Sequence, residues 1–481
     1  MLTDLYKLVM ANAGFPLRRE TFVLSLRKGG PWIMPVDPNE FIQSIFPSRS
    51  SGGLTGMTSA FWEALGGDVH VQGIPKGAWF GNREPVLTLT GPSALVSNME
   101  ARIIGELSFR IQVATLAKLH PHTIDTRLCV ATCEREREII LETLDAVGVR
   151  APEIAVDTDG YFKHILDKAV ELMGIVGGDP SRVMEAGYRA ASCIDQHQLA
   201  VEAARDGGFK ATSNVLVAQR LQISPVGTTG HEHTQRWGAD YEAFTAVRDM
   251  IPGDVTYLLD TYSTRHSGLP TALRVMQEDP ERPCSVRFDS ESTMRGDYLL
   301  ATELFREHGL EPGLNLGGGF NADKTRQFEA LRTNVTKWPA EKQRYMYGQY
   351  LVGPHVPLPT RGDVGAVHKL SQTGSRATMK FSDNPEKSSS PGKPVVFRLA
   401  HPGGADFTRL PLGIIGQQGE TPPDHYVLLE ASDPRYAPYG ARKEEWVTRF
   451  NQLPSSNSPA TQALVDQCVA AKANTIRHAL S

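Results

Sequence analysis

"VTYLLDTYSTRHSGLPTALRVMQEDPERPCSVRFDSES", Val255 to Ser292, decides the fold. A short apolar run, Val255–Leu259, ends in the polar pair Asp260-Thr261. An amphipathic stretch, Leu269–Asp279, follows, and a second apolar run, Cys284–Phe288, ends in Asp289-Ser290. Two strands separated by one helix at this spacing predict a parallel βα unit, because neighbouring parallel strands need a crossover of a dozen or more residues. The alternation extends both ways. Upstream stand "SRVMEAGYR", "HQLAVEAARDGG", "FKATSNVLVAQRLQ", "ISPVGTTGHE" and "DYEAFTAVRDMI"; downstream stand "DYLLATELFREHG", "GLNLGGG" and "ADKTRQFEALRTN". In a (β/α) barrel the C-terminal strand ends build the active site. Here those ends carry Asp260-Thr261, Asp289-Ser290 and Gly317-Gly318-Gly319.

The texture is different on either side. Residues 1–150 mix strand-like runs ("FVLSLRKGG", "EPVLTLTGP") with Gly/Pro turns and one helical stretch, "NMEARIIGELSFRIQVATLAKLH". The barrel-like segment is set at 151–350, and after it, over 351–481, the alternation fades. Between Arg361 and Arg398 there are seven Lys/Arg against three Asp/Glu, which suits either a solvated face or a phosphate-facing loop. With 481 residues, 40% hydrophobic and 22% charged, the chain has ordinary globular composition and is long enough for two or three domains. A net charge of −4 gives no general drive toward nucleic acid or membrane, so no partner of either kind is expected. No apolar run reaches the ~18 residues of a membrane span. The N-terminus lacks a basic-then-apolar leader, and five cysteines without zinc-site spacing suit reduced thiols in a cytoplasm.

"PVGTTGHEHTQRWG", Pro225–Gly238, carries the most reactive residue types. A helical zinc pair needs histidines four apart, so His231 and His233 cannot share a helix face. Trp237, Tyr241, Phe244 and Val247 recur at helical spacing, which predicts a helix from about His233 with His231 at or before its start. There His231 is either a polar loop residue or a group facing an anion, able to exchange a proton or be phosphorylated. His233 reads as a surface or helix-start residue. Arg287 and Asp289 share one strand face, as a structural pair or as a grip on phosphate and on ribose hydroxyls or Mg²⁺. The triple glycine suits a plain loop or backbone amides closing on phosphate.

Taken together these motifs resemble the nicotinate phosphoribosyltransferases, of the type II phosphoribosyltransferase family that also holds the nicotinamide and quinolinate enzymes. The resemblance runs in order through "LTDLYKLVMA", "FVLSLRKGGP", "EAGYRAAS", "ATSNVLVAQRLQISPVGTTGHEH", "LLDTYST", "VRFDSES", "LGGGF" and "HKLSQTGSRATMKFSDNPEKSSSPGK". It implies an irregular (β/α) barrel plus a discontinuous α/β domain made from the N- and C-terminal regions. It also implies transfer of a phosphoribosyl group from phosphoribosyl pyrophosphate to nicotinate, giving nicotinate mononucleotide and pyrophosphate for NAD biosynthesis or salvage. Mg²⁺ and ATP are implied as cofactor and co-substrate. By position, His231 matches a phosphorylatable histidine. Tyr6 (from a neighbouring subunit), Tyr188, Arg189 and Ser213 match the nicotinate site. Asp260 and Asp289 match ribose or metal ligands. Arg27, Lys28, Arg287, Gly318, Gly319, Arg326 and Lys380 match phosphate contacts. A homodimer or larger homo-oligomer with shared active sites follows. Ser213, lacking the acid of nicotinamide-specific relatives, points to nicotinate. Two positions depart from the pattern: Ala190 replaces an arginine and Glu291 replaces a glycine. The alternatives are a nicotinamide phosphoribosyltransferase and a non-catalytic ligand-binding homologue.

Overall fold

The computed structural model describes residues 3–45, 69–353, 364–381, 389–400, 409–429 and 443–480. The chain forms two compact units. One comprises residues 1–16, 158–353 and 470–481; the other comprises 17–157 and 354–469. The sequence reading draws its boundaries at 150 and 350. The first unit also takes in both chain ends.

The first unit is built on a seven-stranded sheet in which every pairing is parallel. Across the sheet the strands are Ser224–Pro225, Ala211–Thr212, Val183–Glu185, Gln343–Tyr347, Gly313–Leu316, Cys284–Phe288 and Val255–Leu258. Read as a ring, this is chain order: 183, 211 and 224, then 255, 284, 313 and 343 back to 183. It is the cyclic order of a barrel with one unpaired seam, between Ser224–Pro225 and Val255–Leu258. At the seam the Thr229 hydroxyl donates to the Thr256 carbonyl at 3.4 Å. The two-residue alternation of a strand sorts the side chains. Tyr257, Val286, Leu314, Tyr345 and Val183 join the apolar core with Phe244, Val275, Tyr298 and Phe328 of the flanking helices. Arg287 and Asn315, adjacent in register, carry polarity on the other face. The strand–helix–strand unit at Val255–Ser292 forms as the pattern predicts, with helix Leu269–Glu278 between its strands.

The second unit joins distant parts of the chain. Strand Arg19–Ser25 pairs antiparallel with both Leu87–Pro92 and Val367–Thr373, inside a five-stranded sheet. N- and C-terminal regions therefore make one α/β unit. A buried helical run, Glu100–Leu119 with a π-turn at Ile103–Leu107, packs Ile104, Leu107 and Ile111 against Phe22, Leu24 and Leu89 of that sheet. A second sheet carries Arg398, whose guanidinium forks onto buried Glu84 at 2.8 and 2.9 Å.

Candidate active site

In the first unit the strand ends converge on His231. Helix His231–Trp237 begins at this histidine, two residues earlier than the apolar spacing predicts, and ends at Gly238 in a left-handed conformation (φ 98°). A separate helix, Asp240–Met250, follows. The expected single helix is broken because Gly238 allows the left-handed turn, while both pieces keep their apolar residues on the same core. His231 is 7% exposed. Its Nδ1 lies 3.3 Å from the Thr261 hydroxyl and 3.9 Å from Asp260 Oδ1, and its Nε2 lies 3.7 Å from Asp289 Oδ2. Two adjacent strands thus place a carboxylate on each side of one imidazole.

Arg287 binds this cluster together. It donates to Thr228 Oγ1 at 2.8 Å and Asp289 Oδ1 at 3.0 Å, while its buried Nε has no hydrogen-bond partner. Ser290 donates to Asp260 Oδ2 at 2.7 Å, and Asp260 Oδ1 is buried without a hydrogen bond. Asp240, wholly buried at the start of the next helix, accepts from Ser267. Burial, then the negative charges of Asp260 and Glu242, push its carboxyl up to about 7 in spite of that hydrogen bond. Beside the cluster, Gly318 and Gly319 turn with φ of 73° and 77°. A Cβ on Gly318 would stand 2.6 Å from the Asp289 carbonyl oxygen, so the turn requires glycine.

The N-terminal segment completes the other half. Leu5 N donates to Ser213 O at 2.8 Å and Val215 N to Thr3 O at 3.0 Å, docking the segment on the end of the Ala211–Thr212 strand. Gly227 and Gly230 of the P-V-G-T-T-G loop make room for it: a Cβ on Gly227 would stand 2.6 Å from Tyr6 N, and one on Gly230 would stand 3.2 Å from the Tyr6 ring. Glu232 anchors the segment, accepting from Lys7 at 2.8 Å and from Arg236 at 3.2 Å, all three buried. Tyr6 sits 5.7 Å from the Arg189 guanidinium. Tyr6 and Arg189, both matched to the nicotinate site by position, thus stand together within one chain. Ser213 donates to the buried Asp4 carboxylate at 2.6 Å. Tyr188 is buried with its ring against His197, centroids 4.9 Å apart. His197 in turn contacts Glu185 at 3.2 Å through Nε2 and Asn214 Nδ2 at 3.2 Å through Nδ1. Burial alone would raise Glu185, yet His197, Thr212 and the Gly187 amide hold it below the usual carboxylate range.

Other expected residues are placed differently. Arg326 is half exposed and paired with Glu171 and Asp323. Lys324 reaches the glycine turn, donating to Gly318 O at 2.8 Å. His233 is buried, not on the surface. Its Nε2 donates to the Ala243 carbonyl at 2.9 Å, and burial lowers its pKa to about 4. Arg27, Lys28 and Lys380 belong to the second unit. There burial, then the neighbouring Arg83, lower Arg27 to about 10. Lys380 N donates to Ser389 Oγ at 2.9 Å, and residues 382–388 of the Lys-rich run lie outside the described residues. Sequence reasoning missed Asp4, Lys7, Glu185, His197, Glu232, Asp240 and Lys324. Asp4 and Lys7 stand in "LTDLYKLVMA", Glu185 in "EAGYRAAS", Glu232 in "GHEH" and Lys324 in "ADKTR", but those motifs gave none of them a role.

The solved structure of nicotinate phosphoribosyltransferase from Porphyromonas gingivalis superposes with a TM-score of 0.51 at 17% identity, covering 80% of this chain and 94% of that one. The fold is that of the type II phosphoribosyltransferases. In sequence the chain is 28% identical to the nicotinate phosphoribosyltransferase of Bacillus subtilis over 279 residues, 55% of this chain and 54% of that enzyme. It is 25% identical to the mouse nicotinate phosphoribosyltransferase over 462 residues, 88% and 80% of the two chains. The match therefore spans about half the length of the Bacillus relative. No family model matches the chain. All five cysteines are free, and among the described residues no helix is long and apolar enough to cross a membrane.

Proposed function

We propose that this chain transfers the phosphoribosyl group of phosphoribosyl pyrophosphate to nicotinate in NAD biosynthesis or salvage. The observation that carries the reading is His231, set within 4 Å of two strand-end carboxylates beside Arg287 and a glycine turn, in a chain whose relatives are nicotinate phosphoribosyltransferases. The pyridine nitrogen forms a bond to the ribose C1′ as the C1′–oxygen bond to pyrophosphate breaks. Pyrophosphate leaves with the electron pair, and the ribose passes through an oxocarbenium-like centre. Asp260 and Asp289 face that positive charge and the ribose hydroxyls. Arg287, Lys324 and the Gly318 and Gly319 amides hold phosphate oxygens.

The donor atoms of His231, Asp260 and Asp289 lie within 4.8 Å of one another. The two carboxylates suit Mg²⁺, a hard cation that takes oxygen ligands. Bound there, Mg²⁺ would neutralise pyrophosphate charge. The histidine is left for phosphoryl chemistry. A ring nitrogen takes the terminal phosphoryl group of ATP, ADP leaves, and the other nitrogen releases its proton toward the facing carboxylate. Phosphorylation adds up to about two negative charges, enough to change the site's affinity for anionic substrates.

For the base, Arg189 and Tyr6 favour a carboxylate-bearing ring. Asp4 supports a second reading: its carboxylate on Ser213 repels nicotinate and accepts from an amide, which favours nicotinamide. Competition kinetics with both bases decide between them, and a higher kcat/KM for nicotinamide would overturn the nicotinate assignment. We also assign the chain to the cytoplasm, where five free thiols stay reduced. We further propose a homodimer in which Arg27 and Lys28 of one copy reach phosphates bound to the other.

A further inference from the structure

Glu291 is one of the two residues that break the expected pattern, and its position gives it a task. Both of its carboxylate oxygens lie 3.5 Å from the point where a Gly319 Cβ would stand. Among the described residues no acceptor meets the N–H of Gly318 or Gly319. On the other side of the turn, the partnerless Arg287 Nε lies 3.5 Å from the Cβ point of Gly317. Lys324 Nζ closes the group, 3.6 Å from Glu291 Oε1 and 2.8 Å from Gly318 O. Amides without acceptors and two cations around one glycine turn are the makings of an anion site. Lys324 is also held below its usual range by burial, against the opposing pull of Glu291. A half-buried ammonium of that kind gains from a stronger counter-charge than one carboxylate at 3.6 Å.

We infer that Glu291 is a charge gate on the glycine turn: its carboxylate stands beside the anion position and holds Lys324, and an incoming phosphate must push it aside and take over Lys324. The Glu291 side chain is 63% exposed, so it swings into solvent without unpacking the core. Where the family pattern has a glycine, the turn stands open. Here every phosphate meets a like-charge penalty, so phosphate-bearing ligands bind more weakly and leave faster. The inference rests on the reading that this turn receives a phosphate.

The test is calorimetric titration of the full chain with inorganic phosphate and with phosphoribosyl pyrophosphate, for wild type, Glu291→Gln and Lys324→Met. Removing one like charge a few ångströms away at a wet surface is expected to tighten both ligands by roughly tenfold in Glu291→Gln. Lys324→Met is expected to weaken both. Because Glu291 is exposed, unchanged circular dichroism separates the effect from misfolding. Phosphate affinity that is unchanged or weaker in Glu291→Gln overturns the gate. Nicotinate transfer is assayed separately on the same proteins. Absent transfer with tightened phosphate binding overturns the transferase reading alone, whereas intact transfer with unaltered phosphate binding overturns the gate alone.

Discussion

Replacing Asp240 by asparagine is expected to remove a pH-dependent weakness from the barrel unit. Burial, then Asp260 and Glu242, move this carboxyl from 3.8 to about 7, whereas the unfolded chain keeps the ordinary value. A shift of about three units corresponds to about 4 kcal/mol between the protonation states. The sign follows from proton counting. Between the two pKa values the native state holds a proton that the unfolded state has released, so stability falls as pH rises. The contribution is fully present below about pH 4 and lost as pH climbs through about 7. In Asp240→Asn the amide keeps a neutral acceptor for Ser267 and has no charge to desolvate. Measured as urea unfolding followed by tryptophan fluorescence, D240N should gain about 3 kcal/mol on wild type between pH 4.5 and pH 7.5. Asp260→Asn, which removes a neighbouring charge, should shift the wild-type loss to lower pH. Parallel stability curves for wild type and D240N across that range would refute the assignment of a neutral, desolvated Asp240.

Other perturbations address the chemistry. Incubation with γ-labelled ATP should leave acid-labile label on wild type and none on His231→Ala; label on both places the phosphoryl group elsewhere. Arg287→Ala should lower kcat/KM for phosphoribosyl pyrophosphate by about 10²–10³-fold, the scale seen when one transition-state donor is lost; a loss below about tenfold contradicts its place in the phosphate grip. Asp4→Asn removes the carboxylate on Ser213 and should move base preference toward nicotinate by on the order of tenfold; no movement would show that Asp4 does not face the base.

The barrel was legible because its strands and helices differ in period. Val255–Ser292 shows both periods in one stretch, and the polar residues that end each strand mark the site. The helix start at His231 was less legible, since Trp237 and Tyr241 keep their spacing on either side of the break at Gly238. The choice between Lys324 and Arg326 turns on geometry that a motif does not carry. Helical side chains point toward the helix N-terminus, so Lys324, three residues past the Asn321 cap, reaches back to Gly318. Arg326 lies two residues further, about 200° around the helix, and meets Glu171 instead. Asp4 and Lys7 stand in "LTDLYKLVMA", but nothing local marks what they bind. Their partners Ser213 and Glu232 stand 209 and 225 residues away, and only the tertiary docking of the N-terminal segment joins them. Glu232, between the two histidines, has its carboxylate engaged by Lys7 and Arg236.

The most direct test of the central assignment is product formation from phosphoribosyl pyrophosphate and Mg²⁺ with nicotinate or nicotinamide, with and without ATP, read by mass spectrometry and pyrophosphate release. Nicotinate mononucleotide and stoichiometric pyrophosphate are the expected products, with ATP raising the yield in wild type but not in His231→Ala. No mononucleotide with either base would contradict the assignment.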